Sequence, residues 1–125
     1  MVTETLLVHV IDDDDAVRDG LAELFASADF ETRTYASAAE FLAILHTSPL
    51  GCIVTDLQMP QMMGLDLLSH LRAAGVDLPV IVIGGALDQA PGEEAMRRGA
   101  AHFFGKPVDG EALLAAVTTM MPRLR

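Results

Sequence analysis

Short apolar runs alternate with longer amphipathic stretches along the whole chain. Residues 6–11 are apolar and end abruptly in the four aspartates Asp12, Asp13, Asp14 and Asp15, the pattern of a strand buried in a parallel sheet with polar groups at its C-terminal end. Val17, Leu21, Leu24, Phe25 and Ala28 then recur at helical spacing, with Arg18, Asp19 and Glu23 on the other side. A second strand is predicted over residues 31–35. Ser37-Ala38-Ala39-Glu40 has the spacing of a capping box and opens a helix that points Phe41, Leu42 and Leu45 inward. His46, Ser48 and Pro49 end that helix.

Residues 51–55 form a third strand, again apolar and again closed by a carboxylate, Asp56. The helix over residues 65–74 follows and stops at Gly75. Residues 79–83 are the fourth strand. After a loose stretch containing Gly84, Gly85, Pro91 and Gly92, a short helix runs to about Arg98 and ends at Gly99. Residues 101–104 make the fifth strand, and Asp109 caps a last helix carrying Leu113, Leu114, Val117 and Met120. Five strands alternating with helices give right-handed βα crossovers, hence a parallel sheet covered on both faces. In such a sheet the ligand crevice lies beyond the carboxyl ends of the strands, where the strand order switches direction.

Length adds that all of this fits one domain, residues 1–125. Hydrophobic residues make up 51% of the chain and aromatics 5%, which means a core of Val, Leu, Ile, Ala and Met rather than a disordered chain. Eight basic against eighteen acidic residues give a formal charge of -10. That charge repels nucleic-acid phosphates and anionic membrane surfaces, so neither is an expected partner. No apolar run approaches the roughly 18 residues of a membrane span. The lone cysteine, Cys52, reads as a small buried hydrophobe in a reducing cytoplasm.

The chemistry collects at the carboxyl edge of the sheet: Asp12 and Asp13 after the first strand, Asp56 after the third and Lys106 after the fifth. No Gly-rich phosphate loop appears. Carboxylates gathered this closely repel one another and hold protons more tightly unless a cation neutralises them. With only oxygen ligands on offer the ion is a hard one such as Mg²⁺, which keeps several waters. Lys106 adds a point charge suited to a phosphoryl oxygen. Asp14 and Asp15 are read as helix-capping and dipole-favoured residues instead of ligands. His9, His46, His70 and His102 are scattered without metal-ligand spacing, and Met59, Met62 and Met63 read as adaptable packing.

From His9 to about Val117 the chain resembles the receiver domains of two-component response regulators, in particular the FixJ-type branch. Val10-Ile11-Asp12-Asp13 matches the acidic end of the first strand. Val54-Thr55-Asp56-Leu57-Gln58-Met59-Pro60, with Gly64 after it, matches the phosphorylation segment, and Phe103-Phe104-Gly105-Lys106-Pro107 matches the Lys-Pro signature. The resemblance implies a doubly wound, flavodoxin-like α/β fold with a five-stranded parallel sheet in the order 2-1-3-4-5. It implies that Asp56 accepts a phosphoryl group from a sensor histidine kinase or a small phosphodonor such as acetyl phosphate. Asp13, Asp56 and the backbone carbonyl of Gln58 would hold Mg²⁺, with Asp12 helping through water. Lys106 would pair with the incoming phosphoryl group, the Lys106-Pro107 bond would be cis, and Phe103 would be the aromatic whose rotation reports phosphorylation. Such a domain assists its own phosphorylation and is not an enzyme in the turnover sense. Relatives of this branch carry a C-terminal helix-turn-helix output domain, which would lie outside this chain, and homodimers are possible.

Two positions depart from the family pattern. Receivers carry Thr or Ser at the end of the fourth strand, where this chain has Gly84. Pro91 and Gly92 fall where the fourth helix normally begins, and Gly within a helix costs about 1 kcal/mol relative to Ala, so that helix is expected to be short or displaced. Gly84 favours an alternative in which the fold serves as an interaction module that has lost switching. A second alternative is a metal-dependent phosphohydrolase with Asp12 as nucleophile and Asp14 as acid; it leaves Asp56 and Lys106 without a rationale.

Overall fold

The computed structural model describes residues 7–45, 51–57, 64–84 and 90–120, and the order of elements follows the sequence pattern. The strands are β1 (Leu7–Ile11), β2 (Glu31–Tyr35), β3 (Cys52–Asp56), β4 (Val80–Gly84) and β5 (His102–Gly105). The helices are α1 (Asp15–Ala26), α2 (Ala38–Ala43), α3 (Gly64–Ala73), α4 (Ala90–Arg97) and α5 (Gly110–Met120). All four strand pairings are parallel, and the sheet order is β2-β1-β3-β4-β5. This is the doubly wound order expected, with β1 and β3 side by side at its centre.

Burial on both faces explains why the central strands are mostly apolar, with His9, Thr55 and Asp56 as their buried polar residues. Val8, Val10, Cys52, Val54, Ile81 and Ile83 face one side with Phe25, Leu113 and Val117. Ile11, Ile53, Val80 and Val82 face the other with Phe41, Leu67, Leu68 and Leu71. Burying one such aliphatic or aromatic side chain is worth about 1.5–3 kcal/mol, so the two layers fix the register and with it the positions of the strand ends. Edge strand β2 is mostly exposed apart from Tyr35, which explains its polar composition.

Local chemistry sets the helix starts. Asp14 caps α1, its Oδ1 accepting from the backbone of Ala16 at 2.8 Å and Val17 at 3.2 Å. Ser37 Oγ accepts from Glu40 N–H, while the Glu40 carboxylate reaches back to the Ala36 N–H, a capping box shifted by one residue on its return arm. Asp109 caps α5 through the N–H groups of Glu111 and Ala112. Helices α3 and α4 stop at Gly75 and Gly99, both with positive φ.

Several expectations need correction. The third, fourth and fifth strands begin and end one residue later than the apolar runs, because the parallel ladder continues through Asp56, Gly84 and Gly105. Helix α2 ends at Ala43, short of the expected stop at His46, Ser48 and Pro49, which lie outside the described residues. Helix α4 is short, as expected, but it begins at Ala90 and takes Pro91 and Gly92 into its first turn, where a proline is tolerated because its missing N–H would have no helical partner. His70 and His102 are exposed, whereas His9 is fully buried and its Nδ1 lies 2.9 Å from the Tyr35 hydroxyl. Among the described residues no helix is long and apolar enough to cross a membrane.

Candidate functional site

Three strand ends bring the site together. Asp12 follows β1 directly and prolongs its ladder, the Asp12 N–H donating to the Tyr35 carbonyl at 3.1 Å. Its residue is 4% exposed, and its Oδ1 accepts from the Asp14 N–H at 2.9 Å. Asp13, next in the chain, is exposed. Asp56 ends β3 and is buried, held from behind by the Leu57 N–H on the Ile83 carbonyl at 2.7 Å. One carboxylate oxygen from each of Asp12, Asp13 and Asp56 lies within 4.8 Å of the others, close enough to share a metal ion.

Lys106 arrives from the far side. Its N–H donates to the Gly84 carbonyl at 2.7 Å, and its Nζ stands 3.2 Å from Asp56 Oδ1. The Lys106-Pro107 peptide is cis. The ammonium is about half exposed while its partner carboxylate is buried, so the pair is open on the side from which a ligand would come. The electrostatics follow the sequence argument: burial first, then the neighbouring Asp56 and Asp13 charges, push the Asp12 carboxyl above its usual range, with the Asp14 N–H and Lys106 opposing. A cation beside these oxygens relieves that repulsion, and the all-oxygen donor set suits a hard ion.

The remaining candidates divide. Gln58 lies outside the described residues, as do Gly85 and the methionines Met59, Met62 and Met63. Gly84 ends β4 against Phe103: a Cβ there would lie 2.9 Å from Leu57 Cδ2 and 3.0 Å from Phe103 Cζ. Gly92 meets the same ring from α4, its absent Cβ falling 2.8 Å from Phe103 Cδ2. Phe103 is therefore seated in a slot between two glycines and packs against the core layer on that face. Asp14 spends its carboxylate on the α1 cap, which removes the acid that a phosphohydrolase reading requires.

Two residues of the site escaped sequence reasoning. Gly64 entered only as part of a matching segment, yet a Cβ there would fall 2.4 Å from the Asp56 carbonyl oxygen, so the start of α3 can press on the strand end only without a side chain. Arg18 was placed on the polar face of α1, but its guanidinium folds back to donate to the Asp12 carbonyl at 2.6 Å. Helical side chains tilt toward the N-terminus, and that direction was the available signal.

With this fold and this acidic edge in view, the relationship to known proteins is direct. Residues 8–118 match the response regulator receiver domain family, and the chain belongs to it. Within that family it is similar to the transcriptional regulatory protein FixJ of Azorhizobium caulinodans, 48% identical over 120 residues, covering 96% of this chain and 57% of that protein. The response regulator TodT of Pseudomonas putida is 36% identical over 89% of this chain and 49% of its own length. The chain thus spans about half the length of the curated relatives it matches. Among solved structures, the crystal structure of FixJ-N superposes with a TM-score of 0.87 at 34% identity, covering 98% of this chain and 100% of that one. Full-length FixJ from B. japonicum superposes with a TM-score of 0.88 at 35% identity, but only 58% of its chain is covered. This is a FixJ-like receiver domain, a component of two-component signalling.

Proposed function

We propose that this domain accepts a phosphoryl group on Asp56 from the phosphohistidine of a sensor kinase and relays it as a conformational signal. The observation that carries the reading is the buried Asp56 carboxylate, 3.2 Å from the Lys106 ammonium and within a cation's span of Asp12 and Asp13. An Asp56 carboxylate oxygen attacks phosphorus; the P–N bond breaks, its electron pair returns to the imidazole nitrogen, and a P–O bond forms to give the acyl phosphate. Lys106 pairs with a phosphoryl oxygen as negative charge spreads over the group, and Asp12 keeps the pocket acidic on the opposite side. Asp13, Asp56 and the Gln58 backbone carbonyl would hold Mg²⁺, with Asp12 assisting through water. Bound there, the ion neutralises charge on the carboxylates and on the phosphoryl oxygens.

The domain so assists its own phosphorylation and dephosphorylation without turning over a substrate, and it works in the cytoplasm. The uncovered 42% of full-length FixJ, as 100 minus the 58% covered, supports an output domain elsewhere in the longer protein, a helix-turn-helix by family resemblance. Homodimer formation belongs to the same reading. The net charge of -10 supports partners other than nucleic acid or membrane for this domain.

A second reading has a specific observation in its favour. The Phe103 ring already fills the slot between Gly84 and Gly92, and Gly84 offers no hydroxyl to a phosphoryl oxygen. A hydrogen bond to a charged group is worth about 1.5–3 kcal/mol, so its loss weakens the coupling of Asp56 to Phe103 and favours an interaction module with reduced switching. Purified protein given Mg²⁺ and acetyl phosphate separates the readings. Uptake of a phosphoryl group that is acid-stable, base-labile and blocked by chelation supports the receiver reading; no uptake under the same conditions favours the module.

A further inference from the structure

Asp12 is held at three points. Its N–H is tied to the Tyr35 carbonyl and its carboxylate to the Asp14 N–H. Its carbonyl lies beyond the last registered pairs of β1, Ile11 with Tyr35 and Ile11 with Thr55, so neither neighbouring strand offers it a ladder partner. Arg18 supplies one. Its Nη1 donates at 2.6 Å to that carbonyl, while Nη2 pairs with the Asp15 carboxylate at the start of α1. The Arg18 side chain is 15% exposed, well shielded for a residue on the polar side of its helix.

We propose that Arg18 is a positioning residue for the acidic site: by clamping the Asp12 carbonyl against α1 it fixes the Asp12-Asp13 peptide and thereby aims the Asp13 carboxylate at Asp56. This rests on the reading of Asp12, Asp13 and Asp56 as a cation site. The peptide that Arg18 holds is the one that carries the Asp13 nitrogen, so the guanidinium sets the backbone from which Asp13 projects without touching the ion. A forked donor suits this task better than a point charge, because it binds the carbonyl and Asp15 together in a defined plane. The arrangement also opposes simple electrostatics. A cation at Arg18 repels a cation at the site, so charge alone assigns Arg18 an unfavourable effect on metal affinity and positioning assigns it a favourable one.

The sign of the effect on Mg²⁺ affinity decides between them. Calorimetric titration of the full 125-residue chain with MgCl₂ is expected to show Arg18→Gln binding about 10–100-fold more weakly than wild type, the usual loss when a residue behind a metal ligand is removed. Arg18→Lys, which keeps the charge and loses the fork, is expected to weaken binding as well. Tighter binding in Arg18→Gln, with Arg18→Lys like wild type, would overturn the proposal. The Asp13 amide resonance of the metal-free proteins supplies a readout independent of the ion. It is expected to move in both variants while the resonances of the core strands stay in place, and an unmoved Asp13 amide overturns the proposal on its own. A wild type that binds no Mg²⁺ but whose Asp13 amide depends on Arg18 would remove the cation site and leave the positioning role standing.

Discussion

The Phe103 ring occupies the space that a side chain on Gly84 would need, with Cζ 3.0 Å from the position of a Cβ. Gly84 has no left-handed φ, so the glycine is there for room and not for backbone conformation. Placing a threonine there is therefore an overpacking change. Gly84→Thr is expected to cost about 1–3 kcal/mol, read as a lower urea midpoint. Phe103→Leu in the same chain should recover a large part of that loss, because the added atoms and the ring compete for one slot. Strictly additive effects of the two substitutions would show that the ring and position 84 are independent.

Asp12 gives the metal-free protein a pH dependence with a definite sign. Burial and neighbouring carboxylates raise its pKa in the fold, so the folded state keeps the proton to higher pH than the unfolded chain does. Its contribution to stability is present below the unfolded carboxylate pKa and is lost as pH rises through the raised folded value. Asp12→Asn should accordingly melt higher than wild type at neutral pH without metal, and the gap should close as the solution is acidified through the carboxylate range. Added Mg²⁺ should stabilise wild type more than the variant. A variant less stable than wild type at neutral pH without metal would mean that the carboxylate contributes more through its bond to the Asp14 N–H than it loses by being charged.

Much of this architecture was legible because the apolar runs and the caps act locally. Val8, Val10 and Ile11 and the whole run from Val80 to Ile83 are apolar since both faces of β1 and β4 are covered, and Asp14, Ser37 and Asp109 announce helix starts by a bond made within three residues. Asp12, Asp13, Asp56 and Lys106 were legible because strand ends in a parallel sheet share one edge. Long-range packing was not. The seating of Phe103 between Gly84 and Gly92, the pressure of Gly64 on the Asp56 carbonyl and the return of Arg18 to Asp12 depend on how two elements meet. His9 was read as one of four scattered histidines, and its place on a buried strand between Tyr35 and Phe41 comes from the same kind of contact.

Cys52 should be chemically silent. It is fully buried in β3, and burial pushes its thiol up to about 12, which leaves almost no thiolate, the reactive form, at pH 8. A thiol reagent should modify it only as fast as the domain unfolds and rapidly in denaturant. Prompt modification of the native protein would place the thiol in a solvent-open position.

Within the run of four aspartates the metal should distinguish neighbours. Asp13 contributes an oxygen to the shared cluster, whereas Asp15 is the first residue of α1 and pairs with Arg18. Asp13→Ala should weaken Mg²⁺ binding far more than Asp15→Ala in calorimetric titrations. Equal effects of the two would put the ion elsewhere.

The central claim is that Asp56 carries the phosphoryl group, and chemical trapping reads the position directly. Protein incubated with Mg²⁺ and acetyl phosphate, then reduced with borohydride, converts an aspartyl phosphate to homoserine, which peptide mass spectrometry can locate. The account predicts homoserine at position 56 and none at positions 12 or 13, with Asp56→Asn giving none at all. Homoserine at position 12 or 13 of wild type, or undiminished trapping in Asp56→Asn, would contradict it.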